Sequence, residues 1–178
     1  MISEILDSIF KELKKGTQIN SHPFRYTCLG TVDFSGNPQQ RMVVIRDISN
    51  NEITIYTDNR TEKVSEIKSN ANASLLFYDY KKMKQLKLSG KITVDQSPDK
   101  SLWNAIPAKA KKDYTTKNKP GTKIKNPEDI SYTETFENFC VLKFAFTKMD
   151  YLNITRPNHV RAQFLLIDNM WEGSFIVP

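Results

Sequence analysis

A mostly antiparallel β-barrel with few helices is the fold this sequence predicts. Between six and eight short apolar segments carry strand patterning. Turn residues separate them, at Ser35-Gly36-Asn37-Pro38, Ser49-Asn50-Asn51 and Asp168-Asn169. Helical periodicity fills only a few stretches, too few to lie between most strands as a doubly wound parallel sheet requires. Neither GxGxxG nor GxxxxGKS/T occurs, which argues against the Rossmann and P-loop routes to nucleotide binding.

Residues 3–15 read as an amphipathic helix. Ile5, Leu6, Ile9, Phe10 and Leu13 follow the 3.6 period, Lys11, Lys14 and Lys15 suit its C-terminal dipole, and Gly16 is the expected terminator. Strands are predicted over Phe24–Asp33, Gln40–Ile48 and Glu52–Asp58. Thr61–Lys68 reads as a short helix with Val64 and Ile67 facing inward and Asp58 or Asn59 as its cap. Ala73–Tyr80 is the fourth strand. Residues 84–95 are the fifth, with Leu86, Leu88, Ile92 and Val94 alternating against Gln85, Lys87, Ser89, Lys91 and Thr93. A second helix is expected from Ser97-Pro98, carrying Leu102, Trp103 and Ile106. Lysines crowd residues 109–125, which read as a mobile loop with one helical turn. Phe139–Tyr151, Val160–Asp168 and Met170–Val177 complete the set, the last two as a hairpin.

The 178 residues fit one domain, 1–178, with a sizeable core. Apolar residues make up 39% and charged residues 26%, as in ordinary globular proteins. No apolar run approaches the length of a bilayer span, and the N-terminus lacks signal-peptide features, so a cytoplasmic protein without membrane association is expected. Cys28 and Cys140 lie far apart in strand-like segments and read as reduced core thiols. No metal-ligand spacing is present. His22 and His159 join no nucleophilic pattern, so hydrolase chemistry is unsupported.

A net charge of +6 suits anionic partners. Much of it comes from Lys109, Lys111, Lys112, Lys117, Lys119, Lys123 and Lys125, which lack interleaved aromatics beyond Tyr114. A solvated loop accounts for them better than a nucleic-acid surface does, and such a loop is able to fold over a ligand.

The informative stretch is Arg41 to Gly90. Arg41 and Arg46 bracket an apolar strand, and five positions apart they leave it on opposite faces. An ordinary strand with both heads in water has the same pattern. Tyr56-Thr57 ends the next strand and runs through Arg60, Thr61 and Lys63 into a helix start, where free N–H groups, a hydroxyl and cations favour a phosphate. A capped surface helix is the bland alternative. Gln85 sits on a half-polar strand with its carboxamide available to a ring edge or to solvent.

RMVVIR, IYTDNRTEK and KQLKLSG, in that order, with the closing VRAQFLLIDNMWEGSFIVP, resemble the pyridoxamine 5′-phosphate oxidase-like family of FMN-binding split β-barrels, in its shorter branch with a TDxRSxK-type motif. The resemblance implies a homodimer with FMN between subunits. It assigns the phosphate to Arg41 and Lys63, with Thr61 and Arg60 helping. It lines the flavin with the strand from Met42 through Val43 and Val44 to Ile45, sets Arg46 near the ring or the substrate, and has Tyr56 and Thr57 at the ribityl region and Gln85 at the pyrimidine edge. It also implies that Arg46 or Arg161 stabilises negative charge arriving on the ring.

Three departures bear on substrate. Glu62 stands where the family tends to have Arg. Gln163 stands where true oxidases tend to have a flavin-contacting Arg. Trp103, Pro107 and Lys111 stand roughly where those oxidases hold pyridoxal phosphate with Tyr, Arg and Ser. The expectation is therefore an FMN-dependent oxidoreductase acting on an unidentified small molecule, with Trp103 and Arg161 as substrate contacts and no catalytic side chain assigned. A true pyridoxamine/pyridoxine 5′-phosphate oxidase and a non-enzymatic FMN sensor or carrier remain as alternatives.

Overall fold

The computed structural model describes residues 1–178. Eight strands form one antiparallel sheet: β1 (Tyr26–Val32), β2 (Pro38–Ser49), β3 (Glu52–Asp58), β4 (Asn72–Asp79), β5 (Lys84–Asp95), β6 (Phe139–Asn153), β7 (Val160–Ile167) and β8 (Met170–Phe175). The order is β3-β2-β1-β4-β5-β6-β7-β8, and β3 also pairs with β6. That pairing closes a six-stranded barrel from β1 to β6 and leaves the β7–β8 hairpin outside it. β6 makes this possible by changing partner. Phe139–Ala145 pairs with β3 and Lys148–Asn153 with β7, with the β5–β6 register slipping between them. Gly90 faces that slip, where a Cβ would lie 2.0 Å from the Ala145 carbonyl oxygen.

Alternation puts Leu29, Val43, Ile45, Ile53, Ile55, Leu75, Phe77, Leu86 and Leu88 inside the barrel. α1 (Ile2–Gln18) adds Ile9 and Leu13 to this core, and α2 (Glu62–Ser69) adds Val64 and Ile67. Gly16 does not end α1, which continues to Gln18. Its missing side chain instead admits the Phe24 carbonyl, which a Cβ would meet at 2.7 Å. Neither Asp58 nor Asn59 caps α2. Thr61 holds the N-cap position, because Asp58 is engaged with Arg60.

Between β5 and β6 the chain makes a long excursion, 97–138. It contains α3 (Lys100–Asn104), capped by Asp99 rather than Ser97, and α4 (Ala108–Lys111), which runs into a 3-10 turn at Lys112–Tyr114. The lysine-rich region is therefore partly helical. It carries its own small core of Trp103, Ile106 and Tyr114 against Phe139 and Val141, with Tyr56 at its edge. No helix is long and apolar enough to cross a membrane.

Candidate functional site

The end of β3, the start of β2 and the first turn of α2 come together at one rim of the barrel. Arg41 shares the inward parity of Val43 and Ile45. Its guanidinium donates to Glu66 Oε2 on α2 at 2.7 Å and to the Thr31 hydroxyl. Thr31 also donates to Glu66, at 2.5 Å, so a buried carboxylate already engages Arg41. Lys63 differs. It lies largely buried beside Arg41 and donates to Thr57 Oγ1 at 3.1 Å, and no carboxylate is within ion-pair distance of it. Burial, and then the Arg41 charge, lower its pKa. A desolvated ammonium that lacks a counter-ion, next to a helix start without a side-chain cap, fits an incoming phosphate. Thr61 contributes the N-cap, but its hydroxyl is spent on the Asp58 carbonyl at 2.8 Å.

Arg60 does not join this group. Asp58 lies two residues before it and holds it through contacts at 3.0 and 2.7 Å, and its Nη2 continues to the Thr116 carbonyl at 2.7 Å. Arg60 therefore clasps the 97–138 excursion, and its guanidinium is turned away from the Arg41–Lys63 pair it was expected to join.

Arg46 occupies a second place. The β2–β3 register slips between Ile45 and Asp47, so Arg46 is the extra residue of a β-bulge. Bulges re-aim side chains. Its guanidinium lies 5.4 Å from the Tyr56 ring centroid and donates from Nη2 to the Tyr114 hydroxyl at 3.1 Å. Its Nε is buried and has no partner. Sequence reasoning did not single out Tyr114. The available signal was the aromatic set Trp103, Tyr114, Phe136 and Phe139 bracketing the lysines.

The flavin-lining strand divides by parity. Met42 and Val44 face outward with Arg46, whereas Val43 and Ile45 are buried in the barrel, so their side chains touch no outside ligand. Gln85 also faces outward, but from β5. In the ring β3-β2-β1-β4-β5-β6, β5 lies three strands from β2 in either direction. One protomer thus does not bring Gln85 and Arg46 to one ring. Trp103 is buried, packed among Phe136, Phe139 and Tyr114 with the Lys111 ammonium 5.1 Å from its ring centroid, and it builds the small core of the excursion. Arg161, on β7, is held by Asp150 at 2.9 and 3.1 Å. It borders a 430 Å³ cavity with Tyr151 and His159, apart from the Arg41–Lys63 group.

Residues 6–96 match the family described as pyridoxamine 5′-phosphate oxidase, FMN-binding domain. This chain belongs to that family. FMN is the family's cofactor, and the matched span carries Arg41, Arg46, Tyr56, Thr57, Lys63 and Gln85. It stops just before the 97–138 excursion. As a family member, the chain is 29% identical over 152 residues to the pyridoxine/pyridoxamine 5′-phosphate oxidase of Blochmanniella pennsylvanica, covering 83% of this chain and 65% of that one. A Ruegeria oxidase of the same name is 28% identical over 88 residues, 49% of this chain and 44% of its own length. The chain thus spans less than two thirds of either oxidase. In fold it matches a pyridoxamine 5′-phosphate oxidase-related, FMN-binding protein of Nostoc punctiforme with a TM-score of 0.80, at 23% identity over 97% of this chain and 96% of that one. PhzG from Burkholderia lata, solved with tetrahydrophenazine-1-carboxylic acid, matches with a TM-score of 0.74 at 14% identity, over 97% and 92% of the two chains.

Proposed function

We propose that this protein is a homodimeric, FMN-dependent oxidoreductase acting on a small molecule, with residues 1–178 working as one unit in the cytoplasm. The observation that carries the reading is Lys63: an ammonium withdrawn from water, beside a second cation, that lacks an anion. Lys63 and Arg41 would hold the FMN phosphate, with Thr57 and the first N–H groups of α2. Met42, Val44 and Tyr56 would bound the ring on its β2–β3 side, and Arg46 would donate to it. When bound, the flavin supplies the electron-pair chemistry, and the chain supplies orientation and charge.

Two features support the dimer. The outer face of β2-β1-β4 exposes Met42, Tyr26, Leu76 and Tyr78 in one apolar patch, with Cys28 paired across to Met42 and Leu76. A second copy on this face would cover it and would bring Gln85 of the partner subunit to a ring that this protomer's own Gln85 does not reach. The two free cysteines agree with a reducing compartment.

The test is an FMN titration of the purified protein. Quenching of flavin fluorescence and a raised melting temperature in wild type, with much weaker quenching in Lys63→Met, are expected. A wild-type chain that ignores FMN sinks the reading. Turnover of pyridoxine 5′-phosphate with peroxide release would instead assign the activity named in its relatives.

A further inference from the structure

The 97–138 excursion lies beyond the span the family match covers, yet it reaches the bulged arginine. Tyr114 is 5% exposed, and its hydroxyl makes one side-chain contact, the bond from Arg46 Nη2 at 3.1 Å. Two rings fix it: Trp103 and Phe139 pack on it at centroid distances of 6.4 and 5.3 Å, and Tyr56 backs Phe139 at 5.1 Å. Two and three residues further on, the Thr116 and Lys117 carbonyls accept from Arg60, which Asp58 grips in turn. Thr116 also bridges to Tyr132. This is a strap anchored on both sides of a single phenol. The phenol holds one end of the Arg46 guanidinium, Tyr56 covers its face, and Nε remains buried without an acceptor.

A buried guanidinium N–H without a partner is costly. A fork held at one end by Tyr114 has that donor left for an acceptor the chain itself does not provide. We propose that Tyr114 is a positioning residue. It holds Arg46 so that the remaining donor meets a carbonyl or anionic acceptor on the bound flavin, and so makes the site favour the reduced, more negative cofactor over the oxidised one. Arg60 is the clamp that keeps Tyr114 in place. This rests on the FMN reading above.

The effect appears as a difference in affinity between two redox states, which packing alone does not produce. The probe is FMN on the full chain, with the oxidised-state Kd from fluorescence quenching and the two-electron midpoint from equilibration with a reference dye. Tyr114→Phe keeps the ring and its packing and removes only the hydroxyl. It should weaken reduced FMN about tenfold more than oxidised FMN, which lowers the midpoint by about 30 mV. Arg60→Gln, which loosens the strap without altering Tyr114, should move the midpoint in the same direction. In an Arg46→Gln background, Tyr114→Phe should add nothing further. A wild-type midpoint in folded, FMN-loaded Tyr114→Phe overturns the assignment, as does an equal shift with and without Arg46. Wild type that fails to bind FMN at all overturns the proposed function instead, a separate outcome.

Discussion

Arg41 and Glu66 meet at 2.7 Å on the rim of the barrel, joined by the Thr31 hydroxyl. The guanidinium is therefore set in place before any ligand arrives, and the carboxylate that sets it is 5% exposed. Two effects of Arg41→Ala follow. The lost charge-assisted bond should weaken FMN by about 1.5–3 kcal/mol, roughly ten- to 150-fold. Glu66 is left buried without its partner, a cost on the order of 3–5 kcal/mol to the apo fold. Adding Glu66→Gln should restore much of the melting temperature and none of the FMN affinity. Unchanged quenching in Arg41→Ala would remove that residue from the phosphate site.

Lys63 predicts opposite signs for stability and binding. Its folded pKa lies below the ordinary 10.5 because burial, reinforced by Arg41, disfavours the charged form. A base lowered in the folded state binds protons less well there than in the unfolded chain. The charged apo protein is destabilised below the folded pKa, and stability recovers as pH rises from there toward 10.5. Lys63→Met removes that penalty. At neutral pH the variant should melt at least as high as wild type without ligand, and lower than wild type with saturating FMN. Paired melting curves decide it, and a variant that melts low in both conditions would make Lys63 a structural residue.

The barrel was legible because alternation and turn residues are local signals. Strand faces followed from period two, so Leu86, Leu88 and Ile92 were placed inward from sequence alone. Strand partners did not follow, because period two sets a face and leaves the neighbour open; the β3–β6 closure became visible only in the fold. Among the site residues, Arg41 and Lys63 stood out by spacing. Glu66 did not, since nothing local ties it to a strand residue 25 positions earlier. Arg60 read as a phosphate ligand because it sits at a helix start, but Asp58 captures it at close range. The bulge that re-aims Arg46 leaves no mark in RMVVIR, and the Tyr114 contact spans 68 positions.

The outer face of β1 offers a thiol test of the proposed dimer. Cys28 stands there between Met42 and Leu76, whereas Cys140 is fully buried. Burial, with the Asp58 charge adding to it, pushes the Cys140 thiol up to about 12, so it should react with a disulfide reagent only after unfolding. Cys28 should be protected in the dimer and react in a monomer. Leu76→Arg places a charge in the apolar patch and should produce that monomer, with one thiol exposed and FMN affinity reduced. Sedimentation and thiol counting on the same sample test this. A native dimer with an open Cys28 would move the interface elsewhere.

Glu12 ties α1 to the barrel. Its carboxylate meets Lys15 at 3.0 Å, His22 Nε2 at 3.2 Å and Lys82 at 3.3 Å, joining the helix to the β4–β5 turn. Burial raises its pKa, but hydrogen bonds and charge from Lys82 and Lys15 outweigh it and hold the group at about 2, against an ordinary 4.5. An acid lowered in the folded state adds stability that is fully present above 4.5 and is lost as pH falls toward 2. Because the partners are partly solvated, the contribution is about 1 kcal/mol, or roughly 2–4 °C in melting temperature. Glu12→Gln should therefore melt lower than wild type at pH 7, and the two curves should converge as pH falls from 4.5 to 2. A gap between them that stays constant across that window would show that Glu12 acts through packing, with its charge contributing nothing.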